Sequence, residues 1–307
     1  MLYIDMTYKC NLNCLFCASA HTNTTYANNY QISFSEEFFN NNSHHKILHI
    51  SGGEPTLCNN LIQFCKEAHI RNFILLLSTN ALKCSDLAYA KKLIDTGLNC
   101  IIIPFLTLNE PLHDFIVGRK GAFKLLIMAY KNLMQLSNSN NNNTDIVLKV
   151  ILLKQTIKQL HNLPVFLKKS KLLPKEIQIS GLHLSGKVLK NSKIIPRAKQ
   201  LSLYVSRFVR SLVEYRIPFS IYDFPWCILD NDVIESLLTH SKIHPNNEEG
   251  FTTKIYLRGT RIINNESYRF PECYKCELIN FCNTYAPYNI KLIKDDISSL
   301  IRTVKFI

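Results

Sequence analysis

The sequence predicts an α/β protein, namely a partial (β/α)6 barrel followed by a small C-terminal cysteine-rich α+β extension. The chain has 307 residues, of which 47% are hydrophobic and 19% are charged. This length and composition suffice for a large core and exclude a disordered or fibrous protein. Short β-rich runs alternate with amphipathic runs of helical length, which is typical of a parallel sheet covered by helices. The 11 cysteines include two tight groups, one at each end.

Six strand–helix units are predicted in the first part of the chain. The strands are expected at 2–6, 47–50, 73–77, 100–103, 146–152 and 176–179, and the helices near 35–42, 58–69, 85–96, 120–136, 157–169 and 194–215. Six units are too few to close an eight-unit barrel, so a partial barrel is expected. A hairpin over 253–264 and a terminal helix over 289–304 follow. We therefore predict a core of residues 1–217 and an extension of residues 218–307.

Positive charge is concentrated in one part of the chain. The net charge is +13, and residues 145–226 carry 15 basic and 4 acidic side chains. This pattern indicates either solvated helix faces or a surface that attracts an acidic partner. Helical lysines without interleaved aromatic residues are a weak signal for nucleic acid, which is not an expected partner. The sequence has no apolar run of about 18 residues and no secretion signal, so we expect a cytoplasmic protein without a membrane span.

The first cysteine group lies directly after the first predicted strand. Cys10, Cys14 and Cys17 fall within eight residues. Three thiolates bind three corners of a cubane iron–sulfur cluster and leave the fourth iron open, and a catalytic metal site needs such an open position. A structural zinc site needs a fourth ligand, for which His21 is the only local candidate. The spacing alone leaves both interpretations open.

The pattern Cys-x3-Cys-x-aromatic-Cys, with Phe16 as the aromatic residue, resembles the signature of the radical SAM superfamily. In that family the open iron chelates S-adenosylmethionine (SAM). One-electron reduction then cleaves SAM to methionine and a 5′-deoxyadenosyl radical, which abstracts a substrate hydrogen. The resemblance implies that Cys10, Cys14 and Cys17 hold the SAM-binding [4Fe–4S] cluster. It also implies a low-potential electron donor of the flavodoxin or ferredoxin type.

Two further motifs follow the second and third predicted strands. Ser51-Gly52-Gly53-Glu54-Pro55 is similar to the family's GGEP motif, which binds the amino group of the cofactor. Glycines allow close approach of a backbone to a ligand, and a carboxylate suits an ammonium group. Ser78-Thr79-Asn80 is similar to a Thr-Asn-Gly loop near the cofactor, with Ala81 in place of the glycine. The resemblance implies a set of cofactor-binding residues: Phe16, Gly52, Gly53, Glu54, Pro55, Ser78 and Asn80.

Two later segments also resemble the family. The segment from His113 to Phe123 is similar to a His-Asp…Gly…Gly-x-Phe pattern that is common in peptide-modifying members. Its alternative is a loop with a helix N-cap at Asp114 or just after Gly121. The segment 186–191 resembles a Gly-x-x-x-x-Asn loop after the sixth strand. These motifs follow one another in the family's order.

The second cysteine group has the pattern Cys-x2-Cys-x5-Cys at Cys273, Cys276 and Cys282, and Cys227 is the candidate for a fourth thiolate. Four thiolates close either an iron–sulfur cluster or a zinc site, and composition does not separate the two. The pattern resembles the SPASM extension of peptide-modifying radical SAM enzymes. Because Ala286 stands where the full pattern has another cysteine, the shorter twitch version is implied. That version carries one auxiliary [4Fe–4S] cluster.

Three functions follow from these patterns. The first is a radical SAM enzyme with one auxiliary cluster that acts on a peptide, as in the maturation of ribosomal peptides. A leader-binding domain would then come from a separate protein. The second keeps the chemistry but takes a small molecule, a nucleotide or a carbohydrate as substrate. The third is a non-catalytic zinc or iron–sulfur protein, which the ordered motifs favour least.

Overall fold

The computed structural model describes residues 1–18, 34–138, 143–240, 251–256, 259–264 and 270–278. In these residues seven parallel strands form one sheet, in which each strand pairs with its neighbours in the chain. The strands are β1 (Leu2–Thr7), β2 (Ile47–Gly52), β3 (Ile74–Ser78), β4 (Cys100–Pro104), β5 (Asp145–Ile151), β6 (Glu176–Ser180) and β7 (Phe219–Tyr222). The predicted α/β partial barrel is confirmed, with β7 as a strand that the sequence analysis did not identify.

A β-hairpin extends the sheet beyond its first strand. β8 (Phe251–Tyr256) pairs in parallel with β1, and β9 (Gly259–Asn264) pairs antiparallel with β8. The predicted hairpin is thus confirmed, whereas residues 257–258 and the predicted helix over 289–304 lie outside the described residues. The division of the chain into 1–217 and 218–307 stays a prediction.

The two faces of the sheet differ in polarity because side chains alternate along a strand. In β1, Leu2, Ile4 and Met6 are fully buried in the core, whereas Tyr3 and Asp5 lie on the other face. We call this second face the inner face. Strand pairing continues it across the sheet, because His49 lies beside Tyr3, Ser51 beside Asp5, and Gln178 beside Lys149. The inner face is therefore the polar face of the sheet.

Nine helices accompany the strands in the described residues. They are α1 (Glu36–Asn41), α2 (Leu61–Ile70), α3 (Leu87–Ile94), α4 (Glu110–Val117), α5 (Ala122–Ser137), α6 (Asn162–Ser170), α7 (Lys187–Lys190), α8 (Ala198–Glu214) and α9 (Asn231–His240). In α8 the buried residues Leu201, Val205, Phe208 and Leu212 recur at helical spacing and form one apolar face. Burial of each such side chain contributes about 1.5–3 kcal/mol. None of the described helices is long and apolar enough to cross a membrane.

Helix α4 is absent from the predicted elements, although local signals for it exist. The Asn109 side chain accepts a hydrogen bond from the Leu112 N–H, and Pro111 lies in the first turn. Gly118 ends the helix in the left-handed conformation at φ 66°. An Asn cap, an early proline and a terminal glycine are typical helix boundaries. The predicted alternative to the family motif, a loop with a helix N-cap at Asp114 or just after Gly121, places no helix before Asp114.

Candidate functional site

The first cysteine group lies in a loop at the carboxyl end of β1. We define the cysteine loop as residues 8–18. Active sites of parallel α/β proteins form at this end of the strands. Cys10 is exposed, Cys14 and Cys17 are half-buried, and all three carry free thiols. The Leu12 N–H lies 3.4 Å from the Cys10 Sγ, and the Cys17 N–H donates to the Cys14 carbonyl. The three predicted cluster ligands are therefore together in one short, partly exposed segment.

The end of β2 packs directly against the start of the cysteine loop. The Gly53 N–H donates to the Thr7 carbonyl at 2.6 Å, and the Glu54 N–H donates to the Lys9 carbonyl at 2.7 Å. A Cβ at Gly53 would lie 2.3 Å from the Lys9 oxygen, and one at Gly52 would lie 2.5 Å from the Thr7 oxygen. Gly52 is therefore required by backbone contact with the end of β1, and Gly53 by backbone contact with the cysteine loop, in addition to any contact with a cofactor.

The other end of the cysteine loop packs against Gly186. This residue has φ 59°, and a Cβ there would lie 2.3 Å from the Cys17 oxygen and 2.6 Å from the Ala18 oxygen. The Lys187 N–H donates to the Cys17 carbonyl at 3.0 Å, and the Lys187 Nζ donates to the Asn13 Oδ1. The predicted Gly-x-x-x-x-Asn loop thus supports the end of the cysteine loop.

Helix α4 holds the middle of the cysteine loop. The Asn13 N–H donates to the Val117 carbonyl and the Leu15 N–H to the Ile116 carbonyl, both at 2.9 Å. These are free carbonyls at the end of the helix, which need partners from outside it. Asn13 and Leu15 of the cysteine loop supply these partners. The residues that end α4 therefore also fix the position of the cysteines.

The segment after α4 is fixed by Asp114. Its carboxylate accepts hydrogen bonds from the Gly121 N–H at 2.5 Å and the Phe123 N–H at 2.8 Å, which caps the start of α5. Burial raises the pKa of Asp114, but these donors outweigh burial and the pKa is lowered. The predicted helix start after Gly121 is confirmed, whereas the loop predicted before it is wrong, because α4 occupies that segment. The Arg119 Nη1 reaches the Asn11 carbonyl at 3.4 Å.

Glu54 connects the carboxyl ends of β2 and β3. Its side chain is 1% exposed and accepts hydrogen bonds from the Thr56 N–H, the Thr56 Oγ1, the Thr79 Oγ1 and the Asn80 N–H, at 2.5–3.0 Å. Burial raises the pKa of Glu54, against the effect of these four donors. The carboxylate is thus well satisfied by the protein itself. Its predicted contact with the ammonium group of SAM stays a prediction.

Asn80 lies directly beside the cysteine loop. Its Nδ2 donates to the Asn11 Oδ1 at 2.7 Å and lies 4.0 Å from the Cys10 Sγ. Ala81 follows with φ 61°. A left-handed conformation costs a non-glycine residue about 1–2 kcal/mol, which explains why the related motif has glycine at this position.

The remaining predicted cofactor residues lie around the same edge of the sheet. The Ser78 Oγ is 2.7 Å from the His49 Nε2, and the His49 ring packs on the Tyr3 ring with centroids 4.6 Å apart. Pro55 is buried in a short 3-10 turn at the end of β2. Phe16 is half-buried and packs against the core. All seven predicted residues lie at or beyond the carboxyl ends of β1, β2 or β3.

The chemistry of the three loop cysteines fits an iron–sulfur cluster. Burial, together with the charges of Cys10 and Cys17, raises the pKa of Cys14 to about 12. The charges of neighbouring thiolates repel one another, and ligation to the iron of a cluster relieves that repulsion. No three His, Cys, Asp or Glu side chains in the described ranges come together closely enough to hold one metal ion. The alternative zinc ligand His21 lies outside the described residues.

The inner face carries a group of titratable side chains that the sequence analysis missed. We define the inner-face group as Tyr3, Lys149, Tyr222 and Asp223. The charge of Asp223 acts on the other three members. Burial lowers the pKa of Lys149 and raises the pKa of Tyr222 to about 12. Asp223 itself has φ 51° directly after β7, which is an uncommon conformation for a residue other than glycine.

A sequence signal for the inner-face group exists in β5. Lys149 stands between the fully buried residues Leu148 and Val150. Because successive residues of a strand point to opposite faces, this position places the charged side chain on the opposite face from Leu148 and Val150. Because β7 is not among the predicted strands, the sequence does not place Tyr222 and Asp223 near β1.

The second cysteine group lies in a different environment. Cys227 is 5% exposed and Cys273 is 9% exposed, and both belong to the hydrophobic core. Cys276 is half-buried and packs against that core, and its N–H donates to the Cys273 carbonyl at 3.1 Å. Cys282 lies outside the described residues. The predicted auxiliary cluster ligands therefore stay a prediction.

Comparison with known families and structures identifies relatives of this chain. The family model described as "Radical SAM superfamily" matches residues 4–160, which is about half of the chain. The match contains the first cysteine group, the Gly52-Gly53 turn and the Ser78–Asn80 segment. A curated relative is 7,8-dihydro-6-hydroxymethylpterin dimethyltransferase of Methanocaldococcus jannaschii, 33% identical over 123 residues. That match takes in 38% of this chain and only 24% of the relative.

Solved structures similar to this chain share its fold at low sequence identity. Streptococcus suis SuiB bound to S-adenosylmethionine matches with a TM-score of 0.65 and 14% identity, over 94% of this chain and 73% of SuiB. SuiB bound to its precursor peptide SuiA matches with a TM-score of 0.63 over 94% of this chain and 72% of SuiB. A third structure, anSMEcpe with bound AdoMet, has a TM-score of 0.58 and 15% identity, over 92% of this chain and 88% of that protein.

Proposed function

The chain belongs to the radical SAM superfamily, and from this premise we propose that it abstracts a hydrogen atom from a peptide substrate. The [4Fe–4S] cluster would be held by Cys10, Cys14 and Cys17. When bound, the cluster and SAM supply the 5′-deoxyadenosyl radical for this abstraction. The observation that carries the proposal is the cysteine loop, which neighbouring elements hold at the carboxyl edge of the sheet while Cys10 stays exposed.

The residues around the loop would have distinct roles. Gly53, Gly186 and the end of α4 would fix the loop, because their contacts with it are made by the protein alone. Such preorganisation lowers the cost of cofactor binding. The motif residues on β2 and β3 would bind SAM, with the Glu54 carboxylate facing its ammonium group. The inner-face group would then contact the substrate.

Two features support a peptide as the substrate. SuiB shares the fold of this chain and has been solved with its precursor peptide SuiA. The Cys-x2-Cys-x5-Cys pattern also resembles the extension of peptide-modifying members, in which Cys227, Cys273, Cys276 and Cys282 would hold an auxiliary [4Fe–4S] cluster. The electron would come from a flavodoxin- or ferredoxin-type donor in the cytoplasm. A separate protein would recognise any leader segment that this chain does not bind.

A small molecule is the second candidate substrate. The Methanocaldococcus jannaschii relative is named for a pterin and is 33% identical over its matched part. The match covers only 24% of that relative. The chemistry of the cysteine loop is the same for both candidates, so the substrate class needs its own experiment.

The first experiment measures iron after anaerobic reconstitution. Two cubane clusters predict about 8 irons per chain, and Cys14→Ala and Cys273→Ala should each retain about 4. The control Cys65→Ala removes a fully buried thiol of α2 and should retain the wild-type iron content. With dithionite and SAM, wild type and Cys65→Ala should release 5′-deoxyadenosine, whereas Cys14→Ala should not. About 4 irons in the wild type, with zinc as the remainder, would contradict the auxiliary cluster.

The second experiment tests the substrate class. A pool of synthetic peptides and a pool of pterins and nucleosides are added separately to the reconstituted protein. Release of 5′-deoxyadenosine should rise above its basal rate with the peptide pool. Stimulation by the pterin and nucleoside pool alone would contradict a peptide substrate and favour the second candidate.

A further inference from the structure

Basic side chains gather beside the cysteine loop at the carboxyl edge of the sheet. Lys154 follows β5, whereas Lys187, Lys190 and Lys193 follow β6. The two connections touch, because the Lys154 N–H donates to the Ile194 carbonyl at 2.9 Å. We define the carboxyl-edge basic surface as Lys154, Lys187, Lys190 and Lys193. Lys187 is half-buried and the other three side chains are exposed.

No acidic side chain of the neighbouring sequence balances this surface. Glu176 is the only acid between Asp145 and Glu214. It is 4% exposed and accepts a hydrogen bond from the Ser220 Oγ, so it lies inside the protein. Within the described part of the chain, Lys154, Lys190 and Lys193 form no ion pair. An uncompensated cluster of like charges attracts a partner of opposite charge.

The surface is continuous with the cysteine loop. The Lys187 Nζ donates to the Asn13 Oδ1, and its N–H donates to the Cys17 carbonyl. An extended chain bound along Lys154, Lys190 and Lys193 therefore lies next to the three cluster cysteines. Its adjoining residues would reach the carboxyl edge, where the inner face of the sheet ends.

We propose that the carboxyl-edge basic surface binds an acidic segment of the substrate peptide. The proposal rests on the proposed function only in identifying that peptide as the substrate, since binding itself needs no cleavage of SAM. Several exposed charges acting together give salt-dependent attraction, although each pair alone is weak. The surface thereby selects peptides that contain an acidic segment. It also brings the part of the peptide that adjoins this segment to the cysteine loop.

The chain offers a matched control at the other edge of the sheet. Lys168 and Lys169 lie in the last turn of α6, and Lys171 follows it directly. All three are exposed, as are Lys154, Lys190 and Lys193. Since α6 runs back from the carboxyl edge towards the start of β6, this second group lies away from the cysteine loop. Reversal of either group changes the net charge by the same amount.

The experiment measures binding of fluorescein-labelled octaglutamate to the full reconstituted chain by anisotropy at low salt. Octaglutamine, which has no charge, should bind much more weakly. The triple variant Lys154→Glu/Lys190→Glu/Lys193→Glu should bind octaglutamate at least about tenfold more weakly than wild type. The control Lys168→Glu/Lys169→Glu/Lys171→Glu should stay within about twofold. The corresponding Lys→Gln variants, which are less disruptive, should show the same order with smaller losses.

Two results would overturn the proposal. Equal losses in both triple variants would show that binding follows net charge rather than this surface. Tighter binding of an eight-nucleotide oligothymidylate than of octaglutamate, with the same dependence on Lys154, Lys190 and Lys193, would assign the surface to nucleic acid. Basal release of 5′-deoxyadenosine without peptide is measured in parallel and should be equal in all variants. Its absence in wild type would instead contradict the proposed function and leave the binding result intact.

Discussion

The two cysteine groups carry the same type of side chain in opposite surroundings. Cys10 is exposed at the carboxyl edge of the sheet. There the end of β2, the end of α4 and the segment after β6 hold the cysteine loop by hydrogen bonds. Cys227 and Cys273 instead lie within the apolar core. A site at the exposed edge of the sheet exchanges ligands with solvent, whereas a site in the hydrophobic core excludes water and hydrophilic reagents. We therefore expect the first group to serve chemistry on a bound cofactor and the second group to serve structure or electron transfer.

The largest expected effect is a difference in the rate of iron loss. Chelator added to the reconstituted protein should remove iron from Cys10, Cys14 and Cys17 at least about tenfold faster than from the second group, because reactivity follows exposure. Absorbance near the iron–sulfur bands records two phases of similar amplitude. Cys14→Ala should lack the fast phase and Cys273→Ala the slow one. A single phase in wild type would contradict the expected difference in iron loss between the exposed and the buried cysteine group.

A methyl group at Gly53 should abolish the first site. A Cβ there would lie 2.3 Å from the Lys9 oxygen, so Gly53→Ala must displace the start of the cysteine loop. We expect reconstituted iron to fall by about 4 per chain. Gly121→Ala is the control, since no atom lies within 4 Å of its Cβ position and only its φ of 78° is strained. That variant should lose about 1 kcal/mol of stability and keep its iron.

Glu54→Gln should destabilise the carboxyl edge. The amide replaces one acceptor oxygen with a donor and leaves buried partners such as the Thr79 hydroxyl or the Asn80 N–H unsatisfied, at a cost of about 1–3 kcal/mol. Denaturant unfolding measures the loss. Glu67→Gln breaks an exposed ion pair with Arg71 and should cost less than about 0.5 kcal/mol. Equal stability of wild type and Glu54→Gln would show that the carboxyl group is protonated in the fold.

The smallest expected effect is a gain in stability. Lys149 is partly buried and has no ion pair in the described residues, so Lys149→Met should raise the free energy of unfolding by about 1 kcal/mol. The exposed control Lys190→Met should change it by less than about 0.5 kcal/mol.

The pH dependence of the stability of Lys149→Met tests the direction of the pKa shift of Lys149. Burial lowers the pKa of Lys149 below its ordinary value of 10.5, so the folded protein binds fewer protons than the unfolded chain between the two values. Between the lowered pKa and 10.5, the free energy of unfolding of the wild type should therefore rise with pH relative to that of Lys149→Met. A constant difference between the two proteins at all pH values would contradict a lowered pKa.

Period and spacing in the sequence predict most of the sheet and the location of the cysteine loop. Each of the six predicted strands lies within about two residues of an observed one, because alternation and β-branched runs are local signals. The predicted motif residues of β2 and β3 also fall at the same edge as the cysteines. This follows from the parallel arrangement, in which the strand ends meet.

The sequence does not show which partner a motif residue contacts. Gly53 and Gly186 resemble cofactor motifs, but both touch the backbone of the cysteine loop. Such contacts join residues far apart in the chain, and no local pattern encodes them. The inner-face group has the same origin, because Tyr3 and Asp223 come from opposite ends of the sheet sequence. Its charges become neighbours only when the sheet curves into a partial barrel.

The attachment of Gly186 to the cysteine loop bears on how short a working fragment can be. Residues 4–160 contain the family match and all three cysteines of the first group. A protein truncated there would retain the motif but lose the Gly186 and Lys187 contacts with Cys17. The smallest piece able to fix its own loop must extend at least through β6 and the turn beyond it. For this chain, residues 4–160 suffice to identify the family, but the cysteine loop also needs the contacts of Gly186 and Lys187 to be held in place.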